Sequence, residues 1–400
     1  MIERIARDTL HRLARGFPIV ALTGPRQSGK TTLARAAFPD KPYLSLEDPD
    51  VRLLAERDPR GLLDRFPDGA VLDEAQRAPD LFSYLQTRID AAPRPGTFVV
   101  TGSQQFGLLS GITQSLAGRV GMVQLLPFSL GELKAAGLLG TDVDAVMVRG
   151  FYPPLYDRDV APGDWYAGYV STYIERDVRQ IITIRDLSAF QRFLRMCAAR
   201  TAQLVNLPSM GADCGITHNT ANAWMSVLEA SYIVHLLRPH HRNFKKRLVK
   251  APKLYFCDTG LAAWLLGIRD PTQVYIHPQR GALFENLVVT EFLKSRFNRG
   301  DPSDLYFWRD SRGLEVDLLV ERGDGLQPIE IKSGQTIAAD FFSSLTRWTE
   351  LAGATGREAS LVYGGDQDMH HGHVAVVAWR RLPEMVEALQ PSPSSASHRP

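Results

Sequence analysis

Over its first third the chain alternates short apolar runs with helix-compatible segments. PIVALT at residues 18 to 23 closes on a glycine-rich turn, which predicts a buried parallel strand followed by a helix beginning near Lys30. Similar runs recur at Tyr43 to Leu46, Ala70 to Leu72, Phe98 to Thr101 and Met122 to Leu126. That alternation predicts an α/β fold, a parallel sheet covered by helices on both faces. Past about residue 145 the pattern shifts to helices rich in aromatic and charged residues, including WYAGYVSTYIERDVRQI at 165 to 181. QLVNLPSMGADCGIT and the helix HNTANAWMSVLEAS then predict a helix-turn-helix, with the strand-like YIVHLLRP and KLYFCD as a hairpin behind it. From about Gly281 a third pattern starts: a helix GALFENLVVTEFLKSRF, then strands DLYFWRD, LEVDLLVE and LQPIEIKSG.

Length turns these shifts into domains, because 400 residues exceed what one hydrophobic core usually organises. The expected division is a first α/β domain at 1–145, a helical lid or connector at 146–200, a winged-helix-like domain at 201–270 and a second α/β domain at 271–390. The Pro/Ser-rich residues 391–400 are expected to be a disordered tail. No stretch approaches the roughly 18 uncharged apolar residues that span a bilayer, and the N-terminus is an amphipathic helix rather than a signal peptide, so no membrane partner and a cytoplasmic location are expected. Three scattered cysteines exclude a disulfide framework and are assigned to packing.

The net charge of +2 carries no global signature of nucleic-acid binding, but its distribution does. Between Glu229 and Asp258 there is no acidic residue, while Arg238, Arg242, Lys245, Lys246, Arg247, Lys250 and Lys253 fall in that stretch. In a winged helix, Lys245, Lys246 and Arg247 would neutralise phosphates while Thr217, His218, Asn219 and Asn222 face a groove, making DNA a partner.

The sharpest signal is GPRQSGKT, where Gly24, Pro25, Arg26, Gln27, Ser28, Gly29, Lys30 and Thr31 fit the pattern G-x-x-x-x-G-K-[ST], with Thr32 behind it. Between a strand and a helix, such a loop turns successive backbone N–H groups inward to hold nucleotide phosphates. Lys30 is expected to reach the β- and γ-phosphates of ATP, and Thr31 to place its hydroxyl on Mg²⁺. The strand AVLDE then delivers two carboxylates at its C-terminal end, where open α/β sheets bind ligands. Asp73 would hold magnesium through water, and Glu74 would polarise the attacking water as general base, which separates hydrolysing ATPases from kinases. In FVVTGSQ, Ser103 or Gln104 would contact the γ-phosphate or the lytic water. Arg119 in SLAGRV is the candidate for an arginine that stabilises transition-state charge, from its own or a neighbouring subunit.

The order GPRQSGKTT, YLSLEDPD, VLDEAQ, VVTGSQ, LAGRV, LLPFSLGEL resembles the AAA+ ATPases of bacteria and archaea that carry a C-terminal domain of unknown function. YVSTYIERDVR and KRLVKAPKLYFCDTGL extend the resemblance over most of the chain. It implies an ATP site and a homo-oligomer, with a hexameric ring among the possibilities.

In the last third, Glu285 on a helix, Asp317 in EVDLLV, and Glu330 with Lys332 in IEIKS are similar in order and spacing to PD-(D/E)xK nucleases, especially archaeal Holliday-junction resolvases. That similarity implies a restriction-endonuclease-like fold in which Glu285, Asp317 and Glu330 bind metal beside a scissile phosphate. Lys332 would then orient the nucleophile or stabilise developing charge. The leading expectation is an ATP-hydrolysing protein acting on branched or recombining DNA, by branch migration or four-way (Holliday) junction processing, with an attached metal-dependent nuclease domain. The alternative is a nucleotide-gated switch, in a toxin–antitoxin or defence setting, whose nuclease-like domain only binds. A small-molecule kinase is disfavoured by Glu74.

Overall fold

The computed structural model describes residues 2–103, 116–174, 186–240, 248–322, 325–353 and 358–390. Gln104, Arg242, Lys245, Lys246, Arg247, the end of the segment 165–181 and the tail 391–400 lie outside the described residues.

Five strands, β1 (Ile19–Thr23), β2 (Tyr43–Ser45), β3 (Val71–Asp73), β4 (Phe98–Gly102) and β5 (Val120–Gln124), form a parallel sheet in the order β2-β3-β4-β1-β5. β1 is buried throughout because it lies inside the sheet with helices on both faces. Its side chains alternate between two cores, as a period of two requires. Ile19 and Ala21 join Leu62, Leu63, Leu81 and Leu85 on one face, while Val20 and Leu22 join Ala6, Leu10, Leu33 and Ala34 on the other. Each fully buried Val, Leu or Ile contributes roughly 1.5–3 kcal/mol. The parallel α/β expectation holds.

Helices Leu187–Ala199, Leu207–Cys214 and His218–Ala230 follow. The helix-turn-helix bend has a local cause: Gly215 takes φ +71° after the second helix, and the Thr217 hydroxyl caps the third by accepting from Thr220 N–H at 3.2 Å. The hairpin behind it is β6 (Val234–Pro239) with antiparallel β7 (Lys253–Phe256). β6 also pairs in parallel with β8 (Leu305–Arg309), so the hairpin becomes the edge of a larger mixed sheet. With β9 (Glu315–Arg322), β10 (Gly325–Lys332), β11 (Ala359–Tyr363), β12 (Met369–His371) and β13 (Val374–Ala378), its order is β12-β13-β11-β10-β9-β8-β6-β7. The expected boundary at residue 270 is therefore bridged by one sheet. The helix Arg280–Asn298, buried along most of its length, touches β5 of the first sheet and β7 and β10 of the second. No helix among the described residues is long and apolar enough to cross a membrane, and Cys197, Cys214 and Cys257 are buried in packing.

Candidate nucleotide site and a carboxylate cluster

The loop after β1 takes its path from two glycines. Gly24 adopts φ +151°, and a Cβ there would sit 2.1 Å from the Leu125 carbonyl oxygen, so no other residue fits. Gly29 adopts φ +93° and starts the helix Lys30–Ala37. Lys30 is buried, and its ammonium lies 3.0 Å from Gly24 O and 2.8 Å from Pro25 O, over the rim of the loop. Pro25 and Ser28 are buried, Arg26 and Gln27 half-buried, and Thr32 is exposed on the helix surface beyond the loop.

Thr31 Oγ1 stands 3.0 Å from both oxygens of Asp73. Asp73 also accepts from Thr101 Oγ1 and, at 2.7 Å, from the Tyr43 hydroxyl. Burial and the hydrogen bond to Asp73 push the Tyr43 phenol up, so it remains a donor. A hydroxyl and a carboxylate facing one another are hard oxygen donors of the kind that suits Mg²⁺ and its waters. Glu74 follows at φ +55°, a left-handed turn that swings its side chain out of the strand. Its Oε2 accepts from Ser103 Oγ at 3.0 Å and Gln76 Nε2 at 2.5 Å. Burial opposes ionisation of Glu74, but Lys30 and Arg26 together with these two hydrogen bonds outweigh it, and its pKa falls below the usual carboxylate range. The group is thus favoured as an ionised acceptor. Ser103 holds Glu74.

Arg119 is not beside this loop. It precedes β5, the strand beside β1, at the opposite end of the strands from the loop, where its carbonyl accepts from Ile19 N–H at the start of β1, roughly 13 Å of strand away. Its guanidinium forms a two-pronged pair with Asp90, at 2.6 and 2.9 Å. That placement keeps Arg119 away from the phosphate loop of its own chain.

Contacts absent from the sequence reading tie the loop to the rest of the chain. Arg4 donates to Ser28 O and Leu126 O, each at 2.7 Å, and pairs with Glu132 at 3.0 Å. Gln27 Nε2 donates to the Tyr173 hydroxyl at 2.7 Å, and the Arg26 guanidinium lies 5.6 Å from that ring's centre. The Thr23 hydroxyl, at the last position of β1, is 2.7 Å from the hydroxyl of Tyr232, which sits at φ +56° just beyond the helix His218–Ala230. Thr101 had a signal: strand side chains alternate, so it shares a face with Ser103. Arg4, Tyr173 and Tyr232 had none, because they arrive from distant segments.

The second predicted site is also assembled, but in a different form. Glu285, Asp317, Glu330 and Lys332 come together, and so do Glu315, Tyr255 and Lys253. Lys253 is buried among them: its ammonium contacts Glu315, lies 2.8 Å from Glu285 Oε1 and is 3.7 Å from Asp317 Oδ1. Tyr255 donates to Glu285 Oε1 at 2.6 Å, Ile331 N–H to Asp317 Oδ2 at 2.9 Å, and Lys332 to Glu330 Oε1 at 2.5 Å. Burial and neighbouring carboxylates push Glu285 up to about 7 and Glu330 up to about 8. Burial opposes the charge on Lys253, but the surrounding acids outweigh it and raise its pKa. Among the described residues no three His, Cys, Asp or Glu side chains are placed to hold one metal ion. Glu285, Asp317, Glu330 and Lys332, expected to share a metal site, are brought together, and their carboxylates close on lysines and an amide.

On the predicted reading helix, Thr217, His218, Asn219 and Asn222 are exposed. Lys253 leaves the basic stretch in which the sequence places it and turns inward.

Residues 16–134 match the family described as AAA domain, and residues 140–272 and 280–382 match two domains of unknown function, DUF8612 and DUF4143. Among solved structures, the Walker-type ATPase paby2304 of Pyrococcus abyssi is similar at 15% identity and a TM-score of 0.47, over 66% of this chain and 96% of that one. Thermotoga maritima RuvB is similar at 19% identity and a TM-score of 0.32, over 58% and 88%. The uncharacterized proteins Rv2008c of Mycobacterium tuberculosis and Mb2031c of Mycobacterium bovis are each 33% identical over 346 residues, 84% of this chain and 75% of theirs. With 33% identity over this shared length, the chain belongs to one family with these mycobacterial proteins, and its residues 16–134, with the phosphate loop and the Asp73–Glu74 strand end, are an AAA domain of the P-loop ATPase class.

Proposed function

We propose that the protein is an ATP-hydrolysing, DNA-binding machine, acting on branched or recombining DNA, in which the phosphate site drives the winged helix. The observation that carries this reading is the buried hydrogen bond from Thr23, the strand residue leading into the loop, to Tyr232, the residue following the reading helix. A loop that shifts on hydrolysis moves a residue bonded to the DNA-facing element. The exposed Asn219 and Asn222 offer amide groups suited to base edges, and exposed Lys250 on the hairpin offers a phosphate contact.

In the site, the loop N–H groups and Lys30 bind the phosphates, Thr31 and Asp73 hold Mg²⁺, and Glu74 orients the attacking water. Magnesium would supply charge neutralisation on the phosphate oxygens. Thr101 and Tyr43 keep the Asp73 carboxylate aimed at Thr31, and Ser103 and Gln76 keep Glu74 in place. Arg119 completes the site of a neighbouring copy in a homo-oligomer.

The test is ATP hydrolysis with and without four-way junction and duplex DNA. DNA should stimulate hydrolysis, with the junction acting more strongly, and Tyr232→Phe should reduce the stimulation while leaving DNA affinity unchanged. An active ATPase indifferent to every DNA tested would sink the reading. A second reading, a nucleotide-gated switch whose C-terminal domain binds without cutting, is favoured by the lysine within the carboxylate cluster. Magnesium-dependent cleavage of a junction would dismiss it.

A further inference from the structure

The resemblance to PD-(D/E)xK nucleases implies a divalent metal in the C-terminal domain, and the donor set does not fit one. Shared coordination of Mg²⁺ requires carboxylate oxygens about 2.0–2.1 Å from one point. In this chain the common point of Glu285, Glu315 and Asp317 is the nitrogen of Lys253, at hydrogen-bond and ion-pair distances. Most of the remaining acceptors are also committed, Glu330 Oε2 alone of this group being buried without a hydrogen-bond partner among the described residues. Asp317 Oδ2 takes the Ile331 N–H, Glu330 Oε1 takes Lys332, and Glu315 Oε2 takes Arg309 at 2.9 Å. Four carboxyl groups therefore face three resident cations.

Lys253 is held there by its backbone. It is the first residue of β7, opposite Leu237 of β6, and is bridged on its other side to Leu204. It is only 2% exposed, and its ammonium lies 5.7 Å from the centre of the Phe307 ring. Withdrawing it would leave Glu285 beside Asp317 without its counter-charge, which is strongly unfavourable for carboxylates with so little exposure.

We infer that Lys253 is the permanent cation of this cluster, standing where a nuclease of similar layout would hold its metal. The cluster joins the winged-helix hairpin through Lys253 and Tyr255, the helix Arg280–Asn298 through Glu285, and β9 through Glu315 and Asp317. It ties those three elements into one body and lacks the metal-bound water that in-line phosphodiester attack uses. The inference is independent of the ATP and DNA readings.

The experiment is a Mn²⁺ titration of the full-length, nucleotide-free protein, with free Mn²⁺ followed by electron paramagnetic resonance and folding checked by thermal melting. Wild type and Asp317→Asn should bind the same amount of Mn²⁺. A folded Lys253→Met should gain one Mn²⁺, and Lys253→Met/Asp317→Asn should lose it again. The inference is overturned if wild type holds a Mn²⁺ that Asp317→Asn loses and Thr31→Ala retains. It is also overturned if folded Lys253→Met binds no more than wild type. Should Lys253→Met fail to fold, the comparison of wild type with Asp317→Asn decides alone.

Discussion

The phosphate loop and the C-terminal cluster use the same residue types, Asp, Glu and Lys, to opposite effect. At the loop, Lys30 lies over the carbonyls of Gly24 and Pro25, apart from the Thr31–Asp73 pair and from Glu74, which is held by Ser103 and Gln76. In the cluster, Lys253 sits between the acids and satisfies them. In the proposed function one site is completed from outside, by nucleotide, magnesium and a neighbour's arginine, whereas the other supplies its own cation. What separates them is the origin of the lysine. Lys30 stems from the helix after the loop and reaches along it, while Lys253 stems from a strand that faces the acids. A motif of acids and a lysine thus specifies chemistry only once the lysine's point of attachment is known.

The largest effect that would sharpen this contrast is at Arg119. If the phosphate site is finished by a neighbour, Arg119→Ala should lower kcat about a thousandfold with no change in melting temperature, because its ion pair with exposed Asp90 is a surface one. Mixing it with a Lys30→Ala chain should restore part of the activity, and no restoration would break the claim of a shared site. Next, Glu74→Gln should cut kcat roughly a hundredfold or more while nucleotide affinity, measured by fluorescent-nucleotide titration, holds. Asp317→Asn should leave ATP hydrolysis within about twofold, since the cluster takes no part in that chemistry; a loss as large as that of Glu74→Gln would erase the distinction between the two sites.

Third, Lys253→Met should destabilise the protein by about 3–5 kcal/mol in denaturant unfolding, as expected when one partner of a buried ion cluster is removed. The smallest effect is on pH. Glu330 is held at about 8, above its ordinary value, so the folded chain keeps a proton that the unfolded chain releases. Its contribution to stability is complete below the ordinary carboxylate range and is lost as pH rises toward about 8. Melting temperature should therefore decline less steeply over that interval in Glu330→Gln than in wild type, and parallel declines would show that Glu330 does not hold the proton.

Much of the first domain was legible because its signals are local. Gly24 and Gly29 require their backbone conformations, and the apolar runs at β1, β3 and β4 are the strands found. Glu74 was legible from its place after Asp73. Its depressed pKa was not, since Arg26 and Lys30 come from the phosphate loop and Ser103 from the end of β4. The helix-turn-helix was legible from Gly215 and Thr217, but the merging of its hairpin into the C-terminal sheet through Arg238 and Tyr306 was not, because strand pairing at a distance leaves no local mark.

The sequence by itself determined the phosphate loop, the parallel sheet behind it and the identities of the acids gathered in the C-terminal half. Only the tertiary structure decided that Arg119 lies at the far end of the strands from the loop and that Tyr232 touches Thr23. It also decided that Lys253, which on the page belongs to a basic surface stretch, points inward to neutralise Glu285, Glu315 and Asp317. The physical reason is common to all three: backbone conformation and apolar periodicity act over a few residues, whereas the partner of a buried charge is set by which strands and helices pack against it.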